Sequence, residues 1–377
     1  MTARTGGSPR VLFSLPGLHR VDRGAEIAFE AVARELAAAR AFDVTVIGSG
    51  PPRSDRAYHY LRAACVDRRH FESWPALPVF RSDCHYEEFT FVPGFLRHFA
   101  PDRFDLVVTC SYPFLNWAIR SRRNGRGQPA HVFVTQNGDW PLQRKNSEYR
   151  WFACDAVVCT NPDYLEAHER TWPSRLIPNG VDCDRFRPGP AERERFGLAS
   201  GVPIALMVSA LIPAKRVLDG IRSVALVPGC HLVVAGDGPL RDEIDRAGRE
   251  LLGARYRRLQ LPPHDMPALY RCADTILHMS LDEPYGNVYV EALATGLPVV
   301  AHDRRVSRWI LEDHATLVDT CDAAAVAAAL GSELAARGTR DAAVDFARRR
   351  YSWDAVAREY GAFFSEVLAA RSAGARA

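Results

Sequence analysis

The sequence predicts an α/β protein made of two doubly wound parallel sheets, each covered by helices on both faces. Three observations carry that expectation. Short apolar runs alternate with amphipathic helical patterns along most of the chain, the signature of βαβ units. The alternation runs in two series, one in each half, and prolines and glycines cluster between them at residues 178–190. A chain of 377 residues with 47% apolar content is long enough to build two cores. The expected domains are therefore 1–184 and 185–352, with the binding site in a cleft between them.

Taken in order, residues 11–15 read as a strand, 25–39 as a helix with Phe29, Val32 and Leu36 on one face, and 43–47 as the next strand. Residues 106–109, 132–135 and 156–159 continue the first series, and 204–208, 231–235, 275–278 and 297–301 form the second. Between residues 71 and 99, Trp74, Phe80, Tyr86, Phe89, Phe91 and Phe95 follow few regular patterns. They read as core more readily than as a surface that stacks on sugar or covers a lipid. A last helix opened by Ser352 carries Trp353, Val356, Tyr360, Phe363, Phe364 and Val367 at three- and four-residue spacing. The Ala/Arg-rich stretch after Leu368 is expected to fray.

One stretch concentrates chemistry: Glu283-Pro-Tyr-Gly-Asn-Val-Tyr-Val-Glu291, followed at once by Ala292-Leu-Ala-Thr-Gly-Leu-Pro-Val-Val300. Gly296 and Pro298 form a helix stop, which predicts a helix over 287–295 with its first turn at Gly286. The amides of Asn287 and Val288 then sit at an end carrying about half a positive charge, and Gly286 allows a ligand close to the backbone. A diphosphate suits that end. Glu291 lies one turn beyond Asn287 and Glu283 in the preceding loop, so both carboxylates can accept hydrogen bonds from hydroxyl-rich groups beside the phosphates. Taken alone, the pattern also describes a capped surface helix with acidic residues near its start.

Four further segments recur with it: Val11-Leu-Phe-Ser-Leu-Pro-Gly17 with Arg23-Gly-Ala-Glu26, Ile177-Pro-Asn-Gly-Val-Asp182 with Phe186, Ser209-Ala-Leu-Ile-Pro-Ala-Lys-Arg216, and Val233-Val-Ala-Gly-Asp-Gly-Pro239. In these segments and the Glu-x7-Glu stretch the chain resembles family 4 of the glycosyltransferases, retaining enzymes of the GT-B fold, whose two Rossmann-like domains face each other across a cleft. The resemblance implies that Lys215 stabilises the leaving phosphate, Glu283 contacts the donor sugar, Glu291 binds the ribose hydroxyls, and the amides of Gly286, Asn287 and Val288 hold the diphosphate. Lys215 also follows a strand by one loop, at the sheet edge where ligands of open α/β folds bind. Gly24 should let a loop of the first domain approach the acceptor or the diphosphate, and the helix 353–377 should cross back onto that domain.

Two positions depart from the family's pattern. Ala210 stands where a phosphate-binding Arg is usual, with Ser209 in place of a glycine, and Arg216 is the nearest replacement cation. Where relatives carry a His touching the donor sugar, Val134-Thr-Gln-Asn-Gly-Asp139 offers Gln136 and Asn137, neither of which titrates. The implied reaction is a metal-independent, hexosyltransferase-type transfer from a nucleotide sugar, a UDP-sugar by expectation. Its acceptor is a hydroxyl or amine of a small-molecule, glycan or lipid-linked acceptor, and no cofactor is needed beyond that co-substrate. Two other readings stay open: a nucleotide-sugar epimerase or phosphorylase of the same fold, and a catalytically silent nucleotide-sugar binder, which Ala210 favours.

Bulk properties narrow the field. A net charge of +3, from 48 basic and 45 acidic residues, is too mild to imply nucleic acid. No apolar stretch approaches a membrane span, and the N-terminus runs into a strand rather than a signal-peptide apolar segment, so a cytoplasmic protein is expected. Arg120, Arg122, Arg123 and Arg126 behind Phe114, Leu115 and Trp117 leave room for peripheral contact with the inner membrane face, although a solvated helix end explains them as well. Nine scattered cysteines without a Cys-x-x-Cys pair suit reduced thiols. Asp182-Cys-Asp184 has the form of a manganese chelator but falls inside the interdomain segment, and Gly236-Asp-Gly238 lacks the third glycine of a dinucleotide fingerprint.

Overall fold

Two parallel sheets, one from each half of the sequence, order the chain in a computed structural model that describes residues 7–121, 128–143, 151–336, 338 and 340–374. The chain divides into two compact units, Met1–Asn179 with Trp353–Ala377, and Gly180–Ser352.

The first unit runs β1 (Arg10–Ser14), α1 (Gly24–Ala38), β2 (Asp43–Gly48), β3 (His59–Arg62), α2 (Asp83–His98), β4 (Leu106–Thr109), α3 (Phe114–Ser121), β5 (Ala130–Val134), β6 (Ala156–Cys159), α4 (Pro162–His168) and β7 (Ser174–Leu176). Its sheet has the order β3-β2-β1-β4-β5-β6-β7, all parallel. Both faces are covered, so successive residues of β1 enter different cores. Val11 and Phe13 pack with Phe29, Val32 and Leu36, while Leu12 packs with Phe91, Phe95 and Leu115. That two-sided burial is why the central strands read as unbroken apolar runs.

The second unit runs β8 (Ile204–Val208), α5 (Val217–Ala225), β9 (His231–Ala235), α6 (Arg241–Leu252), β10 (Tyr256–Leu259), α7 (Met266–Tyr270), β11 (Thr275–His278), α8 (Asn287–Thr295), β12 (Val299–His302), α9 (Arg305–Leu311), β13 (Thr316–Val318), α10 (Ala323–Ala336) and α11 (Asp341–Tyr351). Its order is β10-β9-β8-β11-β12-β13, again all parallel. Leu206, Ile276 and Val299 meet Val290 and Leu293 of α8 and Ala343 and Ala347 of α11 on one face. Ala205, Met207 and Val300 meet the helices of the other face. Such fully buried aliphatic side chains each contribute roughly 1.5–3 kcal/mol, which is what anchors α8.

The last helix, α12 (Trp353–Gly374), belongs to the first unit. Phe364 and Tyr360 join its core beside Phe13, and a Cβ on Gly361 would touch Leu36 and Phe42 at 3.3 Å, so α12 lies close on α1. The stretch after Leu368 stays helical to Gly374 instead of fraying from that residue.

Three expectations need correction. The first unit ends at Asn179, five residues before the expected 184, because the chain beyond it already pairs within the second unit, the Val181 N–H donating to the Tyr351 carbonyl at 2.7 Å. Residues 83–98, read as irregular, form α2 with Pro93 inside it; the proline and the following Gly94 mask a helical pattern that tertiary packing of Phe91 and Phe95 restores. Strands β3, β7, β10 and β13 were not expected, and each is an outermost strand of its sheet. None has a fully buried run, so none carries the apolar signal of a central strand. Arg122, Arg123 and Arg126 lie outside the described residues. Among those described, no helix is long and apolar enough to cross a membrane.

Candidate functional site

In the second unit, β8 and β11 are parallel neighbours, so the loops leaving their C-terminal ends run side by side. The first loop carries Lys215, on a short turn over Pro213–Lys215; the second carries Glu283 and leads into α8. Lys215 Nζ donates to Glu283 Oε2, joining residues 68 positions apart. Helix α8 occupies Asn287–Thr295, as its flanking glycines dictate. Gly286 sits at φ 80°, where an L side chain is disfavoured, and a Cβ there would come within 2.7 Å of the Tyr289 ring and 3.1 Å of Glu283 Cγ. Any larger residue would displace the helix start.

The two carboxylates have opposite electrostatics. Burial pulls the Glu283 carboxyl upward, yet hydrogen bonding and charge from His278, with Lys215 beyond it, bring it down to about 2. Its Oε2 lies 3.2 Å from His278 Nε2. Burial dominates at Glu291 and pushes it up to about 7, although the Tyr270 hydroxyl donates to its Oε2 at 2.5 Å and Arg185 adds an opposing pull. The carboxyl is surrounded by protein on most sides while the residue keeps part of its surface open. A ligand hydroxyl bonding Glu291 would favour the ionised form.

Arg216 does not stand free as a replacement phosphate cation. It adopts a left-handed backbone at φ 50°, and its guanidinium donates to Asp219 at 2.9 Å, to the Met279 carbonyl at 3.3 Å and to Thr320 at 3.2 Å. Those bonds tie the loop after β8 to the ends of β11 and β13. Ser209 Oγ, in the position expected for glycine, is buried without a hydrogen-bond partner among the described residues. Gly236 and Gly238 serve packing: a Cβ would fall 1.9 Å from the Ser209 carbonyl oxygen and 2.6 Å from that of Leu211. Asp182 Oδ1 accepts from the amides of Asp184 and Arg185, both at 3.1 Å, as a turn cap. No group of three or more His, Cys, Asp or Glu with metal-binding geometry exists among the described residues.

The first unit holds a pocket of about 460 Å³. Its walls come from the ends of β1, β4 and β5, from the start of α1 and from α2, and include Gly24, Gln136 and Asn137. Gln136 Nε2 donates to the Asn179 amide oxygen, and Asn137 Nδ2 lies 3.7 Å from Cys110 Sγ. Asp139 accepts from His168 Nε2 at 2.8 Å, which fastens the loop carrying these amides. The pocket also contains groups the sequence did not flag, because α2 was not legible. Glu87 is a hub: Arg20 contacts it, with Arg23 at 3.4 Å and Arg68 at 3.3 Å. Glu88 is buried and pushed up to about 8, burial outweighing the backbone N–H groups of Leu115 and Phe114 that it accepts. Tyr112 and Trp140 add aromatic walls.

The sequence profile described as Glycosyltransferase Family 4 matches residues 23–185, and that described as Glycosyl transferases group 1 matches residues 190–350. A GDP-mannose-dependent alpha-(1-6)-phosphatidylinositol monomannoside mannosyltransferase of Mycolicibacterium smegmatis is 33% identical over 217 residues, 52% of this chain and 56% of that protein. A D-inositol 3-phosphate glycosyltransferase of Mycobacterium tuberculosis is 37% identical over 142 residues, 34% of this chain and 29% of that protein. The chain thus spans about half the length, or less, of these curated relatives. Among solved structures, sucrose-phosphate synthase from Thermosynechococcus elongatus superposes with a TM-score of 0.75 at 22% identity, covering 96% of this chain and all 100% of the other. Anabaena HepE in complex with UDP gives 0.72 at 17% identity, covering 95% and 100%. These two share the fold.

Proposed function

We propose, from the premise that this chain belongs to family 4 of the glycosyltransferases with the GT-B fold, that it transfers a sugar from a nucleotide-diphosphate sugar to an acceptor hydroxyl or amine. The transfer retains the anomeric configuration and needs no metal. The observation that carries this reading is the meeting of Lys215 and Glu283 beside the Gly286-capped start of α8, on adjacent strand ends of one parallel sheet. As the anomeric C–O bond breaks, charge grows on the terminal phosphate, where Lys215 and the helix amides stabilise it. The acceptor oxygen bonds to the anomeric carbon on the same face, and its proton passes to the departing phosphate oxygen. Nucleoside diphosphate leaves with that proton, so no carboxylate base is required. Glu283 accepts from donor-sugar hydroxyls, Glu291 from the ribose.

The 33% identical relative is named for GDP-mannose, which favours GDP-mannose over the UDP-sugar expected from sequence. The phosphatidylinositol mannoside in the same name supports a lipid-linked or glycan acceptor, reached by a cytoplasmic protein that touches the inner membrane face peripherally. The acceptor's entering group occupies the 460 Å³ pocket of the first unit, whose amides and aromatic walls suit a hydroxyl-rich ring. Nucleic acid is not a partner in this reading.

A thermal-shift panel of UDP-, GDP- and ADP-sugars identifies the donor, and NMR of the product assigns the anomer. Turnover is expected to survive excess EDTA. Loss of activity on chelation, restored by manganese, would overturn metal independence, and an inverted anomer would overturn retention. A silent binder is the second reading, favoured by Ala210 and the engaged Arg216; stabilisation by a nucleotide sugar without turnover across an acceptor panel would establish it.

A further inference from the structure

His278 ends β11, is 5% exposed, and has both ring nitrogens engaged. Nδ1 lies 3.0 Å from the Tyr289 hydroxyl and Nε2 lies 3.2 Å from Glu283 Oε2. Tyr289, on α8, is 1% exposed, and its ring stands edge-on to the imidazole at 4.9 Å. A hydroxyl donating to Nδ1 leaves the proton on Nε2, directed at the carboxylate. Glu283 Oε2 therefore receives two donors, His278 and Lys215, while Oε1 meets no partner among the described residues.

That allocation matters when a ligand arrives. In the proposed reaction Lys215 must serve the diphosphate, and every contact it makes there is taken from Glu283. The Glu283 side chain is only 12% exposed, and a nearly buried carboxylate stripped of its cation is strongly disfavoured unless another donor remains. Lys215 alone would thus be held by the carboxylate it has to leave.

We propose that His278, locked by Tyr289, is a positioning residue that keeps Glu283 charged and oriented while Lys215 transfers to the donor's diphosphate, leaving Oε1 to accept from a sugar hydroxyl. The inference rests on the proposed function and adds a residue that the Glu-x7-Glu motif does not contain.

The test measures binding of UDP and GDP by calorimetry at pH 8, where Glu291 is charged, to wild type and variants of the full chain. H278L keeps the bulk and removes the N–H; its affinity for whichever nucleoside diphosphate binds wild type is expected to fall about tenfold. H278Q, whose amide donates near the place of Nε2, should recover to within about threefold of wild type. A merely structural histidine would lower the melting temperature with diphosphate affinity unchanged. H278L binding as wild type does overturns the inference and leaves the functional reading intact. If H278L fails to fold, Y289F decides: about a threefold loss supports the relay, and unchanged binding overturns it. Failure of wild type to bind either diphosphate overturns the functional reading and this inference together.

Discussion

The two units build their sites by the same rule and fill them differently. Both place functional groups at the C-terminal ends of parallel strands. In the second unit the groups come from two adjacent loops and one helix start, and Glu283 has one oxygen taken by two donors and the other without a partner among the described residues. In the first unit the pocket draws on several separated segments, and Glu87 gathers Arg20, Arg23 and Arg68 into an ionic lattice closed on itself. The second unit is poised to exchange partners with a charged ligand. The first is a preassembled, charge-compensated wall. On this contrast, changes in the second unit should strike chemistry and nucleotide affinity, and changes in the first should strike stability and acceptor use.

The largest break in that contrast comes from Lys215→Ala, which is expected to lower turnover by about 100-fold or more, roughly 3 kcal/mol of transition-state stabilisation, with little change in melting temperature. Near wild-type rates would remove Lys215 from the site. Glu291→Gln should weaken nucleotide binding about tenfold at pH 8. Wild-type affinity should also fall as pH drops through about 7, since protonation removes an acceptor for the ribose, and Glu291→Gln should flatten that limb. A pH-independent wild type would show that Glu291 does not bind as the carboxylate.

Glu88 sharpens the other side. Its folded value, raised to about 8, lies above the ordinary carboxyl value, so the stability of its neutral form is fully present below about 4.3 and is lost as pH rises toward 8. Glu88→Gln keeps an acceptor for the Leu115 amide and cannot ionise. Its unfolding free energy should therefore gain on wild type from pH 5 to pH 8, by at most about 1.4 kcal/mol per pH unit, read by denaturant melts, with nucleotide affinity unchanged. A constant difference would refute the shift. The smallest effect is expected of Asn137→Ala: a severalfold rise in acceptor KM with nucleotide affinity intact, read by steady-state kinetics and calorimetry. Loss of nucleotide affinity in that variant would end the division of labour.

The same contrast explains what was legible. Helix α8 and the central strands announce themselves because flanking glycines, a proline and two-sided burial leave local signatures. The outermost strands β3, β7, β10 and β13 do not, since an edge with open positions has no need of an unbroken apolar run. Helix α2 hid behind Pro93, and with it Glu87 and Glu88. His278 read as the last residue of a strand; nothing local in Thr275-Ile-Leu-His278 points its ring at Glu283.

From the sequence alone came the two parallel sheets and the glycine-capped start of α8, because periodicity, turn chemistry and helix ends are set by neighbours in the chain, while Lys215, Glu283 and Glu291 were singled out by the family resemblance of their motifs. Only the tertiary structure decided that Arg216 is engaged, that Glu283 lies near 2 while Glu291 lies near 7, and that His278 stands behind Glu283. Burial and hydrogen-bond partners are contributed by residues distant in sequence, and those partners determine which protonation state each carboxylate keeps.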